Sequence, residues 1–152
     1  MIDGKSVTSI GESAFDVDVV GACRNLTSII IPDSVTSIGA RAFFKCNSLI
    51  SVTIPDSVTT IENSAFVACT SLTSVTIPDS VTSIGYEAFW GCSSLTTITI
   101  PDSVTNIEDC TFESCTSLTS VTIPEGVTNI GWFAFYDCNN LTDIYYKGTE
   151  SK

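Results

Sequence analysis

Histidine is missing altogether from the 152 residues, and lysine and arginine together number six against seventeen aspartates and glutamates. Without histidine, every Ser-His-Asp, Cys-His and His-metal arrangement is excluded at the outset. A formal net charge of −11 has the wrong sign for holding a phosphate backbone or an anionic leaflet, so nucleic acid is not an expected partner. No apolar run approaches the roughly 18 residues needed to cross a bilayer, and no membrane insertion is expected. Gly-rich phosphate loops and dinucleotide fingerprints are absent too, and no cofactor is implied. A nucleophile would have to rely on carboxylates or on very few lysines for its base, so the chain is not expected to be an enzyme. What the sequence does have is apolar material: 43% of residues are hydrophobic and only 15% charged, which is ample for a core.

That material recurs with a period of 23. Leu26, Leu49, Leu72, Leu95, Leu118 and Leu141 stand one period apart, as do Pro32, Pro55, Pro78, Pro101 and Pro124, and Cys23, Cys46, Cys69, Cys92, Cys115 and Cys138. One break in register occurs, where five extra residues fall within positions 16–22 between Ala14-Phe15 and Cys23. An insertion that leaves the later register intact belongs in a surface loop.

Within one unit, Leu72 to Ile77 alternates Val75 and Ile77 against Ser74 and Thr76, the pattern of a strand with one buried face. Pro78-Asp79-Ser80 ends it, because proline withholds a donor that a continuing strand needs. Val81 to Ile84 reads as a second short extended segment, and Gly85 to Cys92 as one or two turns of helix or 3₁₀ helix. Some eight inward side chains per unit offset only part of the entropy lost in ordering 23 backbones, so a single rung cannot stand alone. Stacked rungs that share hydrogen bonds and buried faces form a solenoid. The expected fold is therefore an α/β solenoid with a parallel β-sheet on one face and, in each rung, a second extended segment and short helical turns. Residues 1–152 are expected to form one domain of about six repeats.

The string I-P-x-S-V-T-x-I-G-x-x-A-F-x-x-C, carried from Ser6 to about Gly148, resembles the BspA-like leucine-rich repeats of bacterial and protozoan surface proteins. The resemblance implies a right-handed leucine-rich-repeat coil. It also implies a non-catalytic binding scaffold, serving protein–protein or host-matrix attachment in an extracellular or cell-surface parent protein. Ile144 to Thr149 resembles the start of the segment that closes such arrays, which implies a partial C-terminal cap over 142–152. Met1 to Lys5 enters a repeat midway without a leader pattern, as expected of a fragment or of a member that lost its cap. An uncapped first rung would offer a sheet edge for self-association with a second copy, and a structural or self-associating spacer without a specific ligand is the alternative function.

The ladders of equivalent residues supply the site candidates. The six in-register cysteines invite disulfides, but parallel Cβ vectors on stacked rungs favour buried free thiols, and no zinc spacing exists. Cys110, outside the ladder, is the candidate reactive thiol. Asp33, Asp56, Asp79, Asp102 and Glu125 form an acidic row that calcium could use, although an aspartate capping its own turn suffices to explain each. The outward Ser/Thr pairs of the strands (Ser51 and Thr53, Ser74 and Thr76) resemble an ice-binding array as well as an ordinary solvated sheet. Variety is concentrated around Ala-Phe. There Tyr86, Trp90, Trp132, Tyr136 and Phe44 are the candidate partner-binding residues, in pairs four apart that would share a face of a helix, unless their rings simply thicken the ladder of phenylalanines.

Overall fold

In the computed structural model, residues 6–19, 21 and 23–148 are described. The chain climbs as a parallel β-solenoid built on two rows of short strands. The first row is a six-stranded sheet of β2 (Ser28–Ile30), β4 (Ser51–Thr53), β6 (Ser74–Thr76), β8 (Thr97–Thr99), β10 (Ser120–Ile123) and β12 (Asp143–Tyr146), each paired in parallel with the next. The second row holds β1 (Ser9–Ile10), β3 (Ser37–Ile38), β5 (Thr60–Ile61) and β7 (Ser83–Ile84), with β9 (Asn106–Ile107) and β11 (Asn129–Ile130) continuing it beyond β7. The register follows the repeat: Val52 lies against Val75, Val75 against Ile98, and Ile98 against Val121.

Alternation does what the sequence predicts. Val52, Val75, Ile98 and Val121 are buried, while Ser51, Thr53, Ser74, Thr76, Thr97 and Thr99 face solvent. The leucines of the repeat, Leu49, Leu72, Leu95 and Leu118, are fully buried in line with one another. Behind them Phe15, Phe43, Phe66, Phe89, Phe112 and Phe135 form a stack with ring centroids 5.1 to 5.7 Å apart. That spacing matches neighbouring strands plus a small lateral offset, the preferred arrangement for parallel rings.

The turn after each strand is closed by the backbone itself, the amide of Val58 donating to Pro55 O at 3.0 Å. It is the serine of Pro-Asp-Ser that ties the turn to the rung before, Ser57 donating to Val35 O and Ser80 to Val58 O, both at 2.7 Å. The aspartates point outward, and Asp102 forms an ion pair with Lys147 at 3.0 Å.

The expected helical segment is not helical: no helix is found among the described residues. From Gly39 to Cys46 the amides alternate. Ala42, Phe44 and Cys46 donate three residues back within the rung, whereas Arg41, Phe43 and Lys45 donate to Asn63, Ala65 and Val67 of the next rung. An α-helix would keep all these donors for its own carbonyls and leave the neighbouring rung unbonded. The alternation requires left-handed backbone twice per rung, at Arg41 and Lys45, Ser64 and Ala68, Glu87 and Gly91, Cys110 and Ser114, and Phe133 and Asp137, with φ between 54° and 68°. Propensity and the short apolar spacing suggested a helix; bonding between rungs overrides them.

The expectation of buried free thiols holds for four ladder cysteines and fails for one pair. Cys23 and Cys46 form a disulfide with Cα atoms 5.2 Å apart, while Cys69, Cys92, Cys115 and Cys138 are buried free thiols. In the regular rungs each thiol donates to the carbonyl of the ladder phenylalanine one rung earlier, as Cys69 does to Phe43 and Cys92 to Phe66, both at 3.2 Å. Cys23 is eight residues from Phe15, whereas the other ladder cysteines lie three residues after their phenylalanine, so the bridge falls at the one rung that carries the insertion.

Close approach of the rungs fixes Gly85. A β-carbon there would lie 2.6 Å from the Asn63 amide nitrogen, whereas one on Gly11 meets nothing within 4 Å. Gly85→Ala is expected to cost about 1–3 kcal/mol in chemical denaturation, and Gly11→Ala to stay within about 0.5 kcal/mol. Equal losses at both sites would refute close rung packing as the constraint.

Candidate functional site

The turn segment carries two columns of equivalent residues along the solenoid, most of them at least partly exposed. One runs Ser13, Arg41, Ser64, Glu87, Cys110, Phe133; the other runs Asp16, Phe44, Val67, Trp90, Glu113, Tyr136. Stacking in the second column is set by main-chain bonds: Val17 donates to Phe44 O, Lys45 to Val67 O, Ala68 to Trp90 O, Gly91 to Glu113 O and Ser114 to Tyr136 O. Side chains in both columns are thus held at rung spacing by backbone rather than by loops that must order on binding.

At the N-terminal end, the insertion is knitted into this face. The Asp16 carboxylate is buried and accepts from Arg41 Nε at 2.9 Å, with Arg41 NH2 at 2.8 Å, and from the Asp18 amide at 2.8 Å. The Arg41 guanidinium lies 3.7 Å from the centroid of the Phe44 ring, and Lys45, paired with Asp18 at 2.7 Å, sits 5.2 Å from the same ring. Phe44, a candidate for partner binding, is therefore half-buried beneath cations of its own rung.

The remaining candidates lie farther along. Trp132 is 78% and Tyr136 60% exposed, Tyr86 is 44% exposed, and Trp90 is half-buried. Trp132 and Tyr136 are not part of the phenylalanine stack. They flank Phe133, which is 57% exposed, lies 6.4 Å from Trp132 and meets Tyr136 edge-on at 5.4 Å. Phe133 was overlooked in the sequence because attention to pairs four apart passed over it. Its signal was a large apolar residue in a column otherwise filled by Ser, Arg, Glu and Cys. Tyr86 is not brought together with Trp90 by a helical face. It sits beside Glu87, Cys110 and Glu113, and hydrogen bonding to Glu87, then that residue's charge, pushes its phenol up to about 12.

Cys110 is partly exposed among carboxylates. Desolvation, then a hydrogen bond to Glu113 and the charges of Glu113, Glu87 and Asp109, push its thiol up to about 11. It is therefore protonated at neutral pH, which slows the reactivity expected of it. Burial likewise raises the ladder thiols, Cys69 to about 12 and Cys92 well above its ordinary value. Among the described residues, no three Cys, Asp or Glu side chains are grouped to hold a metal ion, the acidic row after the prolines included.

At the N-terminal end, Val7, Ile10, Ala14, Phe15, Ile29 and Val35 border an apolar cleft of about 340 Å³. Beside it β2 is the end strand of its sheet among the described residues, and Ile30 is 79% exposed.

The family model of the BspA type leucine rich repeat region (6 copies) matches the chain over residues 2–92 and 42–151. The chain belongs to the BspA-type leucine-rich repeat family. The fold of this BspA-type chain is similar to that of a leucine rich repeat protein of T. pallidum, at 34% identity and a TM-score of 0.90, over 97% of this chain and 67% of that one. It is similar also to a leucine rich cell surface protein of Faecalibacterium prausnitzii (38% identity, TM-score 0.70), over 93% of this chain and 43% of that one. A leucine-rich repeat protein of Bacteroides ovatus matches at 34% identity with a TM-score of 0.67, over 91% and 41% of the two chains. The BspA-type chain thus spans less than half the length of the latter two. Among curated proteins, no relative matches it in sequence.

Two outcomes test this geometry. Arg41→Ala strands the buried Asp16 carboxylate and is expected to cost about 2–3 kcal/mol by thermal denaturation, against less than about 1 kcal/mol for Lys45→Ala, whose pair with Asp18 is solvent-screened. Alkylation of Cys110 by iodoacetamide at pH 8 should run roughly a hundredfold slower than that of an unperturbed thiol, with a rate that inflects near pH 11. Glu113→Gln removes the leading hydrogen-bond and charge contributions and should accelerate it; an inflection near the ordinary thiol value refutes the arrangement.

Proposed function

We propose that this chain is a non-catalytic binding scaffold, part of a cell-surface or secreted protein, that mediates attachment to a host or matrix protein. The observation that carries the reading is the division of the surface. From β4 to β10 the strand face repeats small hydroxyls and offers little shape for discrimination, while the turn segments vary and present Tyr86, Trp90, Trp132, Phe133 and Tyr136 on a rigid backbone. Large aromatics held in place, with little entropy to lose, are the anchors protein interfaces use. The similarity to a cell-surface leucine-rich protein favours the same location for the parent of this chain.

The alternative is a self-associating spacer, and the apolar cleft beside β2, the end strand of its sheet among the described residues, favours it. A second copy pairing there would raise the mass with concentration. A monomeric mass by light scattering into the millimolar range counts against that reading.

Beads coated with the chain are expected to adhere to a layer of extracellular-matrix protein. The double variant Trp90→Ser with Trp132→Ser should retain its circular dichroism spectrum and cooperative unfolding and lose adhesion by at least about tenfold. Undiminished adhesion of the folded double variant refutes the aromatic face as the binding surface.

A further inference from the structure

The chain contains its own example of how this face holds a cation. Arg41 lies over the ring of Phe44, 3.7 Å from its centroid, and reaches the Asp16 carboxylate at 2.8 Å. Asp16 and Phe44 are successive members of one column, so the receptor for that guanidinium is a carboxylate and an aromatic ring on adjacent rungs. Farther along, the same column reads Trp90, Glu113, Tyr136, which places a carboxylate between two rings and repeats the pairing in both directions. There the neighbouring column supplies Glu87, Cys110 and Phe133 in place of arginine. No lysine or arginine occurs between Cys46 and Tyr146, and Lys147 is engaged with Asp102. Glu87 and Asp109 add to the negative field, felt at Cys110 as an upward push on its thiol.

We propose that Trp90, Glu113 and Tyr136 form a docking surface for an arginine-bearing extended segment of a protein partner, each guanidinium lying over a ring with its edge toward the Glu113 carboxylate. The inference rests on the attachment reading above and specifies its chemistry. Arginine fits better than lysine because its planar group stacks on the ring and donates to the carboxylate at once, as Arg41 does. Trp90 and Tyr136 stand two rungs apart, roughly 10 Å, which three residues of chain in the extended polyproline II form span at about 3.1 Å each, with side chains three apart on the same side. The partner segment is thus expected to carry arginines three positions apart.

The test uses the full chain and a blocked peptide with Arg at its first and fourth positions, otherwise Gly and Ser, in titration calorimetry at about 0.15 M salt. Saturable one-to-one binding is expected. Glu113→Gln and Trp90→Ala should each weaken it by about tenfold, a Lys-for-Arg peptide should bind more weakly, and Asp56→Asn or Asp79→Asn, which remove the same charge from the acidic row, should leave it within about twofold. Circular dichroism verifies that each variant is folded. No saturable binding, or equal losses from the acidic-row variants, overturns the proposal. The bead assay separates it from the broader reading. Adhesion that is lost in the Trp90/Trp132 variant but unaffected by excess Arg peptide keeps attachment and sinks the arginine surface. Saturable peptide binding by the unaltered chain whose beads do not adhere to the matrix layer keeps the arginine surface and sinks attachment.

Discussion

Main-chain hydrogen bonding between consecutive rungs is the interaction on which everything else in this molecule depends. No rung buries enough of itself to stand alone, and its strands are too short to make a sheet without neighbours. The requirement reaches into the segment that local propensity would wind into a helix. Amides from Arg41 to Cys46 are divided between their own rung and the next, and residues as unsuited to left-handed backbone as Phe133 accept it. Side-chain ladders follow from the same constraint: once the backbones are in register, equivalent leucines, phenylalanines and cysteines have no choice but to superpose.

Because the constraint acts at a fixed spacing, it was legible wherever the sequence repeats. The two strand rows, the buried Val/Ile/Leu positions and the phenylalanine stack could be read from period and alternation. The turn segment could not, since Gly85 to Cys92 carries the same apolar spacing whether its donors turn inward or toward the next rung. The Cys23–Cys46 bridge was hidden for a different reason. It falls at the one rung that carries the insertion, which has no counterpart elsewhere in the chain, and the geometry of regular rungs, correctly applied, argues against it. Of the site, the exposed positions of Trp132, Tyr136 and Tyr86 were visible as variation against a constant background, whereas Phe133 and the Asp16–Arg41–Phe44 arrangement required knowing which residues become column neighbours.

A scaffold of this kind separates stability from recognition. The inward residues and the backbone define the shape, and they hardly vary between rungs. The turn columns contribute little to the core, and so they can differ at each level: cationic near Arg41 and Lys45, small and neutral at Ser64, Val67 and Ala68, acidic and aromatic from Tyr86 onward. A partner lying along the columns would meet a graded surface, its groups matched level by level at a spacing set by the β-pairing distance.

Near-interchangeable units carry a hazard that the irregular first rung answers. A folding chain made of look-alike segments can zip up one unit out of step, with almost every pairing still favourable, because leucine meets leucine whichever copy arrives. The segment around Asp16 has no twin. Its buried carboxylate finds a guanidinium only when the second rung lands in its proper place, because the position of Arg41 is Ser64, Glu87, Cys110 and Phe133 on the other rungs. That asymmetric knot works as a key at one end of the stack, converting a periodic text into a single alignment.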